Sequence, residues 1–249
     1  MLEVSKMLDR KLLKERGNAA FKANYWRCVI VSLVMIIFLG SSTAYAGKNI
    51  KDARDNANQE EIAETNFDEK VYDEEERLVL FIAAGLVLGV IVIIALIAAL
   101  IDIFIFNPLE LGCKGFFLLN ADNPETPISE IKYGFTNNYK HNVKCLFKRD
   151  LTVFLYCLLL IVPGIMKSLS YRLVPYILRE NPDMEPKDVL KMSEQMMKGH
   201  RWETFVLDLS FFGWMILVAV TFGIADIFYV NPYISTTHAE LYKELQAQE

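Results

Sequence analysis

The chain has 249 residues, an apolar fraction of 53% and a net charge of −5. Its apolar residues are gathered into blocks rather than spread at strand or amphipathic-helix spacing, which excludes an ordinary soluble domain and points to a membrane. Cys28, Cys113, Cys145 and Cys157 show no C-x-x-C spacing and lie in or beside the apolar segments, where a free thiol behaves as a small hydrophobe, and no basic aromatic surface supports nucleic-acid binding.

Residues 1 to 24 predict a helix with Val4, Met7, Leu8 and Leu12 on one face and Lys6, Arg10, Lys11 and Lys14 elsewhere. That pattern suits a helix lying at a membrane interface. Val29 to Ala46 is a first candidate span. Its basic flank and its ending Ala44-Tyr45-Ala46 imitate a secretory signal, but about 25 residues precede the apolar run, where a signal starts close to its basic residues. The stretch 47–77 then holds eleven Asp/Glu against five Lys/Arg. Residues 1 to 28 hold seven Lys/Arg against three acids, so the positive-inside rule puts the N-terminus in the cytoplasm and the acidic loop outside.

Leu78 to Phe106 is the clearest span, 29 residues whose one charge is Asp102, longer than the ~30 Å hydrocarbon core requires at ~1.5 Å per residue. Asn107 to Asp150 carries six basic residues and Lys167 to Thr204 seven, and both read as cytoplasmic. The stretch Leu151 to Leu178, which opens with the apolar run Leu151 to Met166, should therefore go in and come back, as a helical hairpin bent at Pro163-Gly164; the competing reading is one span followed by an interfacial helix. Lys167, Ser168, Ser170 and Arg172 then lie on the returning arm and must snorkel or face other helices. Pro186, Asp188, Lys198 and Gly199 delimit an amphipathic helix with Val189, Met192 and Met196 on one face, resting on the membrane or the bundle. Phe205 to Val230 is the last apolar run, with a possible bend near Gly223. Tyr25, Trp26, Trp202, Tyr229 and Tyr233 fall near ends of apolar runs, where amphipathic rings suit the headgroups. Gly85, Gly89 and Gly213 would allow close helix contact.

One phrase occurs twice, Asp102-Ile103-Phe104-Ile105-Phe106-Asn107-Pro108 and Asp226-Ile227-Phe228-Tyr229-Val230-Asn231-Pro232, 124 residues apart. It suggests one integral membrane domain over 1–249 made of related halves, about 1–124 and 125–249. Pro108 and Pro232 each remove the hydrogen bond to the carbonyl four residues earlier, at Phe104 and Phe228. With Asp102, Asn107, Asp208, Asp226 and Asn231 this gives a candidate polar membrane site, able to coordinate a cation or relay a proton. The competing reading makes each Asp and Asn-Pro the boundary where a span stops at the headgroups, with Asp208 and Asp226 at opposite interfaces of a straight helix. Pro108, Pro163, Gly164 and Pro232 are the expected helix breaks.

Other chemistry is not indicated. The chain has no Walker loop, H-E-x-x-H, nucleophile elbow or dinucleotide fingerprint, and His141, His200 and His238 are isolated in sequence. No cofactor, metal or catalytic residue is expected.

Taken in order, Asn107-Pro108-Leu109 with Gly112 and Phe116-Phe117, Val162-Pro163-Gly164-Ile165, Pro175-Tyr176-Ile177-Leu178, Ser193 with Met197-Lys198-Gly199, Leu209-Ser210-Phe211 with Gly213-Trp214, Thr221 with Gly223-Ile224, and Pro232-Tyr233 resemble the bacterial integral membrane family known as domain of unknown function 975. The resemblance implies a protein of the cytoplasmic membrane. More distantly, the Pro-Gly hairpin and the following helix are similar to the membrane domain attached to some bacterial glycerophosphodiester phosphodiesterases, from which no catalytic residue carries over.

The expected architecture is an all-α polytopic bundle of 4 to 6 membrane helices with interfacial amphipathic helices and both termini cytoplasmic. A transport-related or export-accessory protein ranks first among functions, a non-catalytic scaffold or immunity-type protein second, an intramembrane enzyme third. Its expected partners are the lipid bilayer and a protein meeting the acidic loop 47–77 or the cytoplasmic amphipathic helices.

Overall fold

The computed structural model describes residues 7–39 and 74–248, which form helices joined by turns and short loops. In chain order the helices of seven residues or more are α1 (Arg10–Ala23), α2 (Tyr25–Leu39), α3 (Glu74–Ile101), α4 (Asn107–Asp122), α5 (Tyr139–Leu159), α6 (Ile161–Ser170), α7 (Val174–Glu180), α8 (Pro186–Met196), α9 (Arg201–Leu209), α10 (Phe212–Val220) and α11 (Asn231–Gln246). Two compact units are distinguished, Ser42–Asp102 and Met1–Ser41 with Ile103–Glu249.

In the smaller unit the described part is α3 with Asp102. Its side chains from Phe81 to Leu100 are all exposed, and a helix that is apolar all round and bare of protein suits lipid. Gly85 and Gly89 meet nothing within 4 Å. The acidic stretch 47–77 lies outside the described residues, except that Glu74 to Arg77 open α3.

The larger unit is built around α4 and α11, the helices that follow the two copies of the repeated phrase. They pack against each other and each is buried along most of its length, from Asn107 to Asn120 and from Asn231 to Leu245. Both copies of Asn-Pro are themselves buried. The helix resumes at once after each copy, as α4 and α11. Each copy is a five-residue π-helical turn, Asp102–Phe106 and Asp226–Val230. The wider turn makes room for a proline ring that would clash with the carbonyl of the preceding α turn. In the second copy the Asn231 N–H donates to the Asp226 carbonyl, five residues back. In the first, the Phe104 carbonyl accepts from the Tyr139 hydroxyl at 2.8 Å.

Asp9 caps α1 by accepting from the Lys11 and Leu12 N–H groups at 3.0 and 3.1 Å. The buried face of α1 is Leu13, Gly17 and Phe21, at four-residue spacing, and it packs along α11. Gly17 sits so close to Thr237 that a Cβ there would overlap its backbone. Of the expected interfacial face, Met7 and Leu12 are exposed and Leu8 is buried. At Asn24 the chain bends by 103° into α2.

Two helical hairpins complete the unit. α5 and α6 fold back on each other, and the reversal is at Leu160, extended at φ −161° and ψ 142°, not at Pro163-Gly164. Proline is tolerated in the first turn of a helix, so Pro163 opens the returning arm instead of breaking it. Gly164 lets that arm lie against Cys157 with no room for a Cβ. The second hairpin turns at Phe222 and Gly223, with φ of 52° and 87°, so Phe205 to Val230 is not one straight span. Trp214 meets Tyr229 at 5.0 Å and Phe211 meets Tyr233 at 5.5 Å between ring centroids. Tyr229 and Tyr233 therefore belong to a packed aromatic cluster, while Trp26 and Trp202 stay exposed. Both hairpins carry bare apolar tips, with Leu158, Leu159, Leu160 and Val162 exposed on the first and Ile216, Val220, Phe222 and Ile224 on the second.

α8 keeps its expected start at Pro186 and its stop at Gly199, φ 93°. Val189 and Met196 are buried and the helix packs on α5 and α7. Two helices are long and apolar enough to cross a membrane, Phe81–Asp122 of 42 residues and Arg201–Val220 of 20, or three if the bent pair α1 and α2 is one span.

Candidate functional site

Folding α6 back on α5 sets Arg172, at the base of one arm, beside Arg149 and Asp150, at the base of the other; all three line one cleft. Around Arg149 an ionic knot joins α5 to the central helix. Its Nη2 donates to Glu110 at 2.8 Å and its Nε to Asp150 at 2.7 Å. Lys114, one turn along α4, reaches Glu110 at 2.6 Å, and Asn107 Nδ2 donates to the second Asp150 oxygen at 2.6 Å. Paired charges with several hydrogen bonds each offset the cost of leaving water.

Around Asp208 there is a second knot. Arg172 donates to both carboxylate oxygens, at 2.7 and 2.5 Å, in the bidentate geometry that suits guanidinium. His238 Nε2 lies 3.0 Å from Asp208 Oδ1. An acceptor-only carboxylate requires the proton on Nε2, and Arg172 Nη1 at 3.4 Å is then a second donor converging on the same oxygen. Burial pushes the His238 pKa below its usual value; the Asp208 bond opposes the shift and the Arg172 charge adds to it. The imidazole is thus held neutral near pH 7.

The knots face a cleft with two arms. One arm, of about 490 Å³, is lined by Glu110, Lys114, Arg149, Asp150 and Tyr171 among others. The other, of about 510 Å³, is lined by Asp208 and by apolar side chains including Ile165, Leu209, Phe212 and Met215. Val153, Cys157, Ser168 and Arg172 line both, so the arms meet at Arg172. Volumes of this order suit a small ligand.

Of the residues singled out from sequence, Asn107 and Asp208 belong to these knots. Asn231 is buried and accepts from Ser235 at 3.4 Å, Asp226 is buried, and Asp102 is an exposed residue of the smaller unit. Neither Asp102 nor Asp226 lines either arm. The returning-arm residues do face protein, as the hairpin demands: Lys167 pairs with Glu194 at 2.9 Å and the Ser193 hydroxyl donates to the Ser170 carbonyl at 2.7 Å. Glu110, Lys114, Arg149, Asp150, Arg172 and His238 were not marked as site residues by the sequence. The four-residue spacing of Glu110 and Lys114 is a visible signal, but nothing local pairs Arg149 with Glu110 or Asp208 with His238. His141 is spent on the Met184 carbonyl at 2.9 Å and His200 on Glu203 at 2.8 Å. Among the described residues no group of three metal-ligating side chains occurs.

A model of the family DUF975, protein of unknown function, matches residues 4–249. The chain belongs to the DUF975 family. No curated protein and no solved structure matches it. In this DUF975 chain the residues that carry the resemblance are largely packing positions. Asn107 and Pro108 open the central helix, Gly164 joins the hairpin arms, and Tyr176 stacks on Tyr242 with ring centroids 5.4 Å apart.

Proposed function

We propose that this DUF975 chain is a multi-pass protein of a bacterial cytoplasmic membrane, transport-related or export-accessory, that works through the two-armed cleft. The observation that carries the reading is the cleft itself: an arm of ion pairs opens into an arm walled by apolar side chains, at the bases of two hairpins with bare apolar tips. Polar groups so placed serve solutes that pass between water and lipid. The expected site at Asp102 and Asp226 gives way to this one as the seat of transport. What supports a common side for both ends is that α1 packs along α11, and the charge map puts that side in the cytoplasm. The acidic stretch 47–77 would then lie outside, and the repeated π turns with their buried Asn-Pro favour two related halves.

The test is reconstitution of the full chain in liposomes, with flux of protons, cations and labelled lipid measured across the bilayer. Flux above empty liposomes that falls in Asp208→Asn but not in Asp102→Asn is the expected result. A chain inert in all three assays overturns the transport reading. It would favour the alternative, a non-catalytic scaffold or immunity-type protein engaging a partner through the acidic loop or α8, for which the dense packing of α4 and α11 speaks.

A further inference from the structure

The cleft carries more than its shape. Its two arms differ in character, and of the four residues that line both, Arg172 is the one that carries a charge. The apolar arm is walled by side chains that are also exposed at the hairpin surface, Ile165 at 48%, Leu209 at 57% and Phe212 at 59%, so it is continuous with the face that suits lipid. The two arms together hold three cations, Lys114, Arg149 and Arg172, and three carboxylates, Glu110 and Asp150 in the polar arm and Asp208 in the apolar one. That arrangement is neutral, and an unbalanced charge brought beside lipid is costly. A purely anionic headgroup would leave the cleft with net negative charge, whereas one carrying both signs would preserve neutrality.

Spare bonding capacity is available for both signs. Lys114 has three N–H donors and gives one to Glu110. Arg149 engages Glu110 and Asp150 through Nη2 and Nε, which leaves Nη1 for a phosphate oxygen. Asp150, its side chain 35% exposed, has lone pairs beyond those used by Arg149 and Asn107 and can accept from an ammonium group.

We propose that the cleft binds a zwitterionic membrane phospholipid, its phosphate-and-ammonium headgroup in the ionic arm and an acyl chain along the apolar arm. The assignment rests on the cleft being this protein's working site.

Cys157 supplies the readout. It lines both arms, and it is exposed while Cys28, Cys113 and Cys145 are buried. The full chain in neutral detergent is alkylated with a maleimide, and the rate at Cys157 is followed by mass spectrometry. The mixed micelles contain dioleoylphosphatidylethanolamine, dioleoylphosphatidylglycerol or dioleoylglycerol. Phosphatidylethanolamine is expected to slow alkylation about tenfold at ten times its Kd, with weaker protection by the other two lipids. Lys114→Met should reduce that protection. Met215→Trp, which fills the apolar arm without touching an ion pair, should abolish its lipid dependence.

Equal or better protection by phosphatidylglycerol overturns the zwitterion assignment but leaves a lipid cleft. Equal protection by dioleoylglycerol overturns any role for the ionic arm. Protection by none of the three overturns both the assignment and the cleft as the working site. Phosphatidylethanolamine protection in a chain inert in the flux assays upholds the lipid site and removes only the transport function.

Discussion

Arg172 holds both carboxylate oxygens of Asp208, at 2.7 and 2.5 Å, across 36 positions of chain. This one bidentate contact ties the returning arm of the first hairpin to the outgoing arm of the second, and His238 closes it from α11. Three segments that sequence keeps far apart are thus fixed at one carboxylate.

Asp208→Asn should therefore destabilise the protein by about 1.5–3 kcal/mol, the range for hydrogen bonds to charged groups. The side chains of Arg172 and Asp208 are 22% and 30% exposed, which keeps the loss below that of a fully buried broken pair. The double variant Arg172→Met with Asp208→Leu should lose less than the two single losses added together, because no charge is then left alone. Thermal unfolding of the three variants in one detergent measures the coupling, and strict additivity would count against the contact.

His238 gives a pH dependence of definite sign. Its folded pKa lies below the ordinary histidine value of about 6.5, through burial first and then the neighbouring Arg172 and Lys114 charges, against the pull of Asp208. Between that folded value and 6.5 the unfolded chain binds more protons than the native one, so stability rises with pH across this window. The contribution is fully present above 6.5 and is lost as pH falls toward the folded value. Melting temperatures from about pH 5 to pH 8, the range in which histidine titrates, should slope upward in the parent and more shallowly in His238→Gln. Parallel slopes would remove His238 as the cause.

Gly17→Ala should cost about 1–3 kcal/mol, the usual penalty of overpacking, because the new methyl meets the Thr237 backbone, which cannot rotate away. Gly85→Ala is the matched control. It meets nothing within 4 Å and should be neutral or favourable by up to about 1 kcal/mol of helix propensity. Similar melting temperatures for the two variants would argue against the tight seat of α1 on α11.

Much of the fold was legible where one residue decides local geometry. Pro186 and Gly199 bound α8, Gly223 turns the last apolar run, and the basic flanks of Leu151 to Met166 require a hairpin. Pro163 misled because proline either breaks a helix or starts one, and its neighbours do not say which. The repeated phrase was visible, but its π turn was not, since the pattern of apolar residues is the same on either ladder. The site was the least legible part. Asn107 and Asp208 stand out as polar residues beside apolar runs, whereas Glu110, Arg149 and His238 acquire meaning only once the arms are packed and their partners are known.

Tyr139 tests the account of the first proline. Pro108 has no N–H, so the Phe104 carbonyl four residues earlier loses its helical donor, and the Tyr139 hydroxyl supplies another at 2.8 Å. Tyr139→Phe should then cost about 0.5–1.5 kcal/mol, the net worth of one hydrogen bond. In a Pro108→Ala background an amide N–H returns to the same turn, and the α ladder can close on Phe104 without help. There the Tyr139→Phe loss should shrink by at least half, a non-additivity that a double-mutant cycle reads directly. Equal losses in both backgrounds would mean that Tyr139 is not compensating for the proline.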